Sequence, residues 1–350
     1  MKSLLCIIED SSFLLEEIPE PEIGKTVYSP EDVIVEVKFC GICGTELNIW
    51  RDGFPKGVLN IKQIGLGHEL SGVVIATGEK VSGINKGDRV VAEVSTDSCG
   101  ICKLCLSGKN NLCRFASAFM LYQGAFSKYL PLPARNVHKI PDKTSFEEAA
   151  LCQPLALAIN ALELRAKIKS GESVAILGPG PIGLCMVQIA KLSGAWPIVV
   201  TGLKADQRRL EMAKNLGADL VINVDEEDLF QRAKDITNFE GFDVVVEIAG
   251  SGKAITQALD IVKTCGRIVL TGAGYPPVEI DASKKIMVKQ LDLLGCRGDP
   301  TISWIKALRH LETGKLNLKP IVSDILPLDE WEEGFRLANS KNSLKVLLQP

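Results

Sequence analysis

The chain has 350 residues, 46% hydrophobic and 24% charged, with 40 Lys and Arg against 43 Asp and Glu for a net charge of -3. At ~150 residues per domain this is a globular protein of two domains. No basic patch stands out and no apolar run reaches ~18 residues, so nucleic acid and membrane are not expected partners.

The opening run Met1-Lys2-Ser3-Leu4-Leu5-Cys6 meets Glu9 and Asp10 too early for a secretory signal, and a cytoplasmic location is expected. The 11 cysteines are odd in number, and four of them fall between positions 99 and 113. In a reducing compartment, clustering of that kind points to metal before disulfides.

The first ~155 residues carry short strand-like runs broken by Gly, Pro and Asp, and the pattern suggests a barrel-like β domain. Val33 to Val37, Gly72 to Ala76 and Arg89 to Ala92 are examples. Two chemical motifs lie among them, Cys40-Gly41-Ile42-Cys43-Gly44-Thr45-Glu46 and Gly67-His68-Glu69. A catalytic zinc takes about three protein ligands and keeps one exchangeable position, and Cys, His and a carboxylate suit it. The competing reading makes His68 a hydrogen-bonded buried histidine, and Cys40 and Cys43 small core residues.

Further along, Cys99, Cys102, Cys105 and Cys113 give Cys-x2-Cys-x2-Cys-x7-Cys. Four thiolates around one ion leave no open position, so this site reads as structural zinc. An iron–sulfur cluster is the rival, although its usual spacings differ. Gly100 and Gly108 supply the turn freedom such a lobe needs.

From about residue 172 the texture becomes alternating strands and amphipathic helices, which implies a doubly wound parallel sheet. The expected strands are 173–177, 197–201, 220–223, 242–248, 267–271 and 291–294. Helices are expected at 182–192, 209–216 and 302–311, the last in a tail whose short strands could rejoin the first domain. Gly178-Pro179-Gly180-Pro181-Ile182-Gly183 follows the first of these strands and opens a helix, the context that turns Gly-x-Gly-x-x-Gly into a dinucleotide signature. Gly178 allows the tight turn, Gly180 the approach of pyrophosphate, and Gly183 close helix–strand packing; the helix start at Ile182 favours phosphate charge.

Taken in order, Gly-Ile-Cys-Gly-Thr-Glu, Gly-His-Glu, Gly87-Asp88-Arg89-Val90, the four-cysteine lobe and the glycine loop resemble the zinc-containing medium-chain dehydrogenases. The resemblance spans nearly the whole chain and is nearest to the polyol and sugar branch, which includes sorbitol, threonine and glucose dehydrogenases. It implies a GroES-like β-rich catalytic domain, 1–157 rejoined by 296–350, and a Rossmann cofactor domain, 158–295. It also implies an NAD(P)-dependent enzyme acting on a small alcohol or sugar, with two zinc ions per chain and a dimeric or tetrameric assembly.

By the same resemblance Cys43, His68 and Glu69 serve the catalytic zinc, and Cys40 lies beneath it. Glu46 stands where the family usually has Asp, a carboxylate that orients ligands. Gln153 replaces the Glu of sorbitol-type enzymes, with neighbouring Cys152 as a rival ligand. Thr45 takes the place of the family's proton-relay hydroxyl, its structural alternative being a helix-capping residue. Asn48 stands where many relatives have a relay His. The other histidines, His138 and His310, read as structural.

The ribose-binding acid expected at the end of the second Rossmann strand is Gly202. Its absence leaves room for a 2′-phosphate, with Lys204, Arg208 and Arg209 as cations to pair with it, so NADP is favoured. The alternative is that these cations form a solvated helix face and that Asp206 supplies the missing acid. Thr271-Gly272-Ala273-Gly274 and Gly295-Cys296-Arg297 match nicotinamide-side loops, and Trp50, Arg51, Phe119, Tyr122 and Arg297 are candidates to line a substrate cleft. A non-catalytic dinucleotide-binding protein is the reading from another class, and loss of a zinc ligand would favour it.

Overall fold

In the first part of the chain, short apolar runs pair as antiparallel strands. These are β1 (Lys2–Ile7), β2 (Phe13–Glu17), β3 (Asp32–Gly41), β4 (Gln63–Gly65), β5 (Glu69–Thr77), β6 (Arg89–Ala92), β7 (Tyr129–Pro133) and β8 (Val137–Lys139). The computed structural model describes residues 1–23, 29–54, 61–121, 123–272 and 277–350. It divides into one unit of Met1–Gln153, Asp299–Gly314 and Val322–Pro350, and another of Pro154–Gly298 and Lys315–Ile321. These borders fall a few residues from the expected 157/158 and 295/296, and 315–321 goes with the second unit.

β3 is the spine of the first unit. Val33, Val35 and Val37 are buried along one face of the pleat, as a period of two requires. Its far end pairs Cys40 with Leu70 and Gly41 with Glu69 on β5. That register brings the Gly41–Cys43 segment beside His68 and Glu69, which are more than twenty residues away in sequence.

The second unit carries β9 (Val174–Leu177), β10 (Ile198–Gly202), β11 (Leu220–Asn223), β12 (Phe242–Glu247), β13 (Val262–Leu270) and β14 (Asp292–Gly295). All pair in parallel in the order β11-β10-β9-β12-β13-β14. This is the doubly wound order that places a ligand crevice at the carboxyl ends of the strands, where the strand order reverses beside β9. Every residue of β9 is buried, as expected of a strand covered by helices on both faces. β13 begins at Val262, five residues before the expected start, because the helix Gly252–Ile261 runs straight into it.

The chain then returns to the first unit with β15 (Val322–Pro327) and β16 (Lys345–Gln349). These extend a seven-stranded sheet in the order β15-β16-β3-β5-β6-β8, with β7 also paired to β3. β1, β2 and β4 form a separate three-stranded sheet. At the core of this unit Phe335 is fully buried, with the rings of Phe13, Trp331 and Trp50 at 5.5, 5.7 and 5.8 Å. No helix among the described residues is long and apolar enough to cross a membrane.

Candidate metal centres and cofactor loop

The four-cysteine lobe folds through tight turns at Gly100 and Gly108, whose φ values of +73° and +74° lie where side chains are disfavoured. A single helical turn, Lys103–Leu106, starts just after Cys102 and carries Cys105. Sγ of Cys102 lies 3.6 Å from that of Cys105 and 3.8 Å from that of Cys113, and Cys113 and Cys99 are 3.7 Å apart. None of the four is in a disulfide. A tetrahedron with Zn–S bonds of about 2.3 Å has edges of about 3.8 Å, so the thiols stand where such an ion needs them. Backbone N–H groups of Cys99 and Phe115 hold the Cys113 thiol down to about 6, which favours the thiolate that metals bind.

Side chains around buried Glu93 tether the lobe. Its Oε2 accepts from Asn110 Nδ2 (3.2 Å) and Thr301 Oγ1 (3.0 Å), while Oε1 lies 2.8 Å from His138 Nε2. The His138 ring stacks on Trp304 at 6.2 Å. His138 is thus held within the fold, as a structural histidine should be.

The second cluster brings Cys43 Sγ, a ring nitrogen of His68 and a carboxylate oxygen of Glu69 within 4.8 Å of one another. Cys43 precedes the helix Gly44–Asp52, and Thr45 sits exposed in that helix's first turn, not at its cap, with Oγ1 3.8 Å from the Cys43 sulfur. Gly67 reaches φ +87°, and a Cβ there would lie 2.7 Å from the Phe126 nitrogen, so only glycine delivers His68 at this place. Glu46, fully buried, accepts from the backbone N–H groups of Cys43 and Gly67, each at 3.2 Å, and its Oε1 lies 2.7 Å from His68 Nδ1. With Nδ1 committed there, Nε2 is left as the metal-binding nitrogen. Burial disfavours a charged imidazole, yet the adjacent Glu46 carboxylate and Cys43 hold the His68 pKa well above its ordinary value.

One participant had little signature in the sequence. Lys345, at the start of β16 and 2% exposed, pairs with Glu69 Oε2 and donates to the Ile42 carbonyl at 2.8 Å. Burial opposes its charge, but Glu69 and Cys43 outweigh that and raise its pKa. Gly41 makes room, since a Cβ there would fall 2.6 Å from Lys345 Cε. A lysine heading an apolar strand was the only hint.

Gln153 and Cys152 are both buried. Cys152 does not join the three donors that lie within 4.8 Å of one another. The Gln153 amide instead has a partner in Asp299, with Nε2 donating to Oδ1 at 3.1 Å. Burial pushes the Asp299 carboxyl up to about 7, a shift that the hydrogen bond from Gln153 opposes. Asn48 accepts from Arg51 at 3.1 Å, and Arg51 also pairs with Asp52. Of the other cleft candidates, Phe119 belongs to the core of the first unit at 3% exposure, because the turn it sits on packs against β4. Trp50 is partly exposed and leans on Phe335. Tyr122, with Ala273 and Gly274 of the expected nicotinamide turn, lies outside the described residues.

At the glycine loop, Gly178 adopts φ +126°, and a Cβ on Gly183 would fall 2.1 Å from the Gly178 carbonyl. A Cβ on Gly180 would meet nothing within 4 Å, so the space a phosphate needs is open. Pro181 and Ile182 begin the helix Pro181–Leu192. The loop fits a dinucleotide pyrophosphate. Past Gly202, Asp206 turns inward: its Oδ2 accepts from Leu203 N–H at 3.1 Å and its Oδ1 lies 3.6 Å from Arg209 Nη1. Lys204 is exposed and 3.7 Å from Glu226, and Arg208 is exposed as well. Thr271 and Gly272 both donate to the Glu247 carbonyl, and Cys296 is buried while Arg297 is exposed.

Comparison with known proteins agrees with this geometry. Residues 29–142 match the alcohol dehydrogenase GroES-like domain, and residues 181–313 match the zinc-binding dehydrogenase family. The chain is 34% identical to a sorbitol dehydrogenase of Halalkalibacterium halodurans, over 97% of this chain and 96% of that one. It is 37% identical to an L-threonine 3-dehydrogenase of Pyrococcus abyssi, covering 95% and 94%. Among solved structures it resembles 2R,3R-butanediol dehydrogenase from Bacillus subtilis, with TM-score 0.87, 29% identity and coverage of 100% and 99%. The chain belongs to the zinc-containing medium-chain alcohol and polyol dehydrogenase family. It is an alcohol or polyol dehydrogenase with a GroES-like unit and a Rossmann unit.

Proposed function

We propose that this enzyme moves a hydride between NAD(P) and a secondary alcohol, most fittingly a polyol or sugar. The observation that carries the proposal is the convergence of Cys43, His68 and Glu69 donor atoms within 4.8 Å, backed by Glu46. Cys43, His68 and Gln153 would hold a catalytic zinc, with Glu69 beside it, and Cys99, Cys102, Cys105 and Cys113 would hold a structural one. When bound, zinc supplies the Lewis acidity that draws an alcohol's pKa toward neutrality, and the nicotinamide ring takes up the hydride.

The protein's own groups do the rest. Glu46 fixes the tautomer and orientation of His68. Lys345 neutralises Glu69. The Thr45 hydroxyl, exposed beside Cys43, receives the alcohol proton. Asn48 cannot be protonated, so the proton passes on through water, a ribose hydroxyl or Glu69. Gly178, Gly180 and Gly183 cradle the pyrophosphate. NADP is favoured over NAD because Gly202 offers no acid, and Asp206 is already engaged by Leu203 and Arg209. Lys204 and Arg208 then meet the 2′-phosphate, with Thr271, Gly272, Cys296 and Arg297 on the nicotinamide side. The enzyme works in the cytoplasm as a homo-oligomer.

Similarity to a threonine 3-dehydrogenase and a butanediol dehydrogenase supports a second reading, the same chemistry on a smaller substrate. A panel of polyols, aldoses, amino alcohols and diols, each with NAD and NADP, decides between the two. Metal analysis alongside should return about two zinc ions per chain. One ion, or no turnover anywhere in the panel, rejects the assignment.

A further inference from the structure

Position 153 departs from the Glu of sorbitol-type relatives, and the fold shows what it faces. Gln153 and Asp299 are both buried, and Gln153 Nε2 donates to Asp299 Oδ1 at 3.1 Å. An amide has one donor end and one acceptor end, so committing its nitrogen to Asp299 leaves its carbonyl oxygen for another partner. A Glu carboxylate at 153 has no N–H to offer, so the hydrogen bond to Asp299 Oδ1 would be lost. The loop bearing Asp299 is itself pinned. Thr301 N–H donates to Asn110 Oδ1 at 3.1 Å, Thr301 Oγ1 donates to Glu93, and Ser303 Oγ donates to the Pro300 carbonyl at 2.7 Å.

We propose that Asp299 is a positioning residue for the catalytic metal: it orients the Gln153 amide so that the carbonyl oxygen is the ligand, and it is the reason residue 153 is Gln and not Glu. The inference rests on Gln153 being a ligand. Asn110 lies between Cys105 and Cys113, so the four-cysteine lobe steadies the Asp299 loop through Thr301.

The test uses the full-length protein and two readouts: zinc affinity of the weaker site by chelator competition, and the visible spectrum with cobalt placed in that site. Gln153→Ala and Asp299→Ala should each weaken zinc binding about 10–100-fold and alter the cobalt spectrum. The double variant should bind no more weakly than Gln153→Ala, because Asp299 acts through Gln153. Gln153→Glu should bind poorly, and adding Asp299→Asn, whose amide can donate to the new carboxylate, should recover about tenfold or more. This pair also covers the case in which Asp299→Ala fails to fold. An effect of Gln153→Ala with none from Asp299→Ala, additive losses in the double variant, or no recovery by Asp299→Asn overturns the inference and leaves Gln153 a ligand. No effect of Gln153→Ala removes the ligand assignment itself.

Discussion

Glu46 Oε1 stands 2.7 Å from His68 Nδ1, and both residues are buried. The same carboxylate also gathers the backbone N–H groups of Cys43 and Gly67, so one side chain sets both segments that bring ligands. Replacing Glu46 by Ala is expected to weaken catalytic-site zinc binding about 10–100-fold, read by chelator competition. Unchanged affinity would mean that His68 is oriented by something else.

Lys345 and Glu69 form a buried pair, and removing one partner strands the other. Lys345→Met should cost about 3–5 kcal/mol of stability in a denaturant titration, and Lys345→Arg less, if the larger head group fits. A loss below about 1 kcal/mol for the Met variant would show that Glu69 finds other compensation.

Thr45 is exposed in the first turn after Cys43, so its hydroxyl is free of any capping duty. Thr45→Ser should retain most of kcat, while Thr45→Val, isosteric but without the hydroxyl, should lose about 10²–10⁴-fold. Equal rates in the two variants would remove Thr45 from the proton path.

Thiol labelling reports both metal centres. Cys265 is exposed, whereas burial pushes Cys6 up to about 11 and Cys40 well above its usual value, leaving both thiols unreactive. In zinc-loaded protein at pH 8, iodoacetamide should enter at Cys265. After chelation Cys43, Cys99, Cys102 and Cys105, all partly exposed, should join it. Lobe thiols that label equally before and after metal removal would contradict a bound ion.

Gly202 is hemmed in, since a Cβ there would meet Pro179 Cγ at 2.9 Å, Leu210 Cδ2 at 3.1 Å and Asp206 Cβ at 3.2 Å. Gly202→Asp should therefore destabilise the second unit by about 1–3 kcal/mol instead of cleanly switching the enzyme to NAD. Arg208→Ala should raise the KM for NADP while leaving that for NAD nearly unchanged. A thermal melt and the two Michaelis constants check both expectations.

Much of this site was legible in the sequence because its signals are short in range. Cys99 to Cys113 span one lobe, and their close spacing points to a single metal-binding set. Gly178 to Gly183 follow a strand and open a helix, and the structure gives that loop the expected turn, with space open at Gly180. The Rossmann strands appeared nearly in place because continuous apolar runs between amphipathic helices have few other uses. β13 was misjudged at its start, because Lys263-Thr264-Cys265-Gly266 looks like a turn until Val262 is seen paired with Phe242.

The partners behind the ligands belong to tertiary structure alone. Lys345 reaches Glu69 because β16 lies against β3, and Asp299 reaches Gln153 from 146 residues away. Phe119, expected at a cleft, went to the core for the same kind of reason. A residue's type and spacing declare which atoms it can offer to a metal or a phosphate. Which buried charge stands behind that atom depends on strand register and on where the returning chain packs, since a charge removed from water must find its partner wherever the fold supplies one. Cys43 and His68 could thus be singled out from sequence, while the pairing that explains a Gln at position 153 had to wait for the fold.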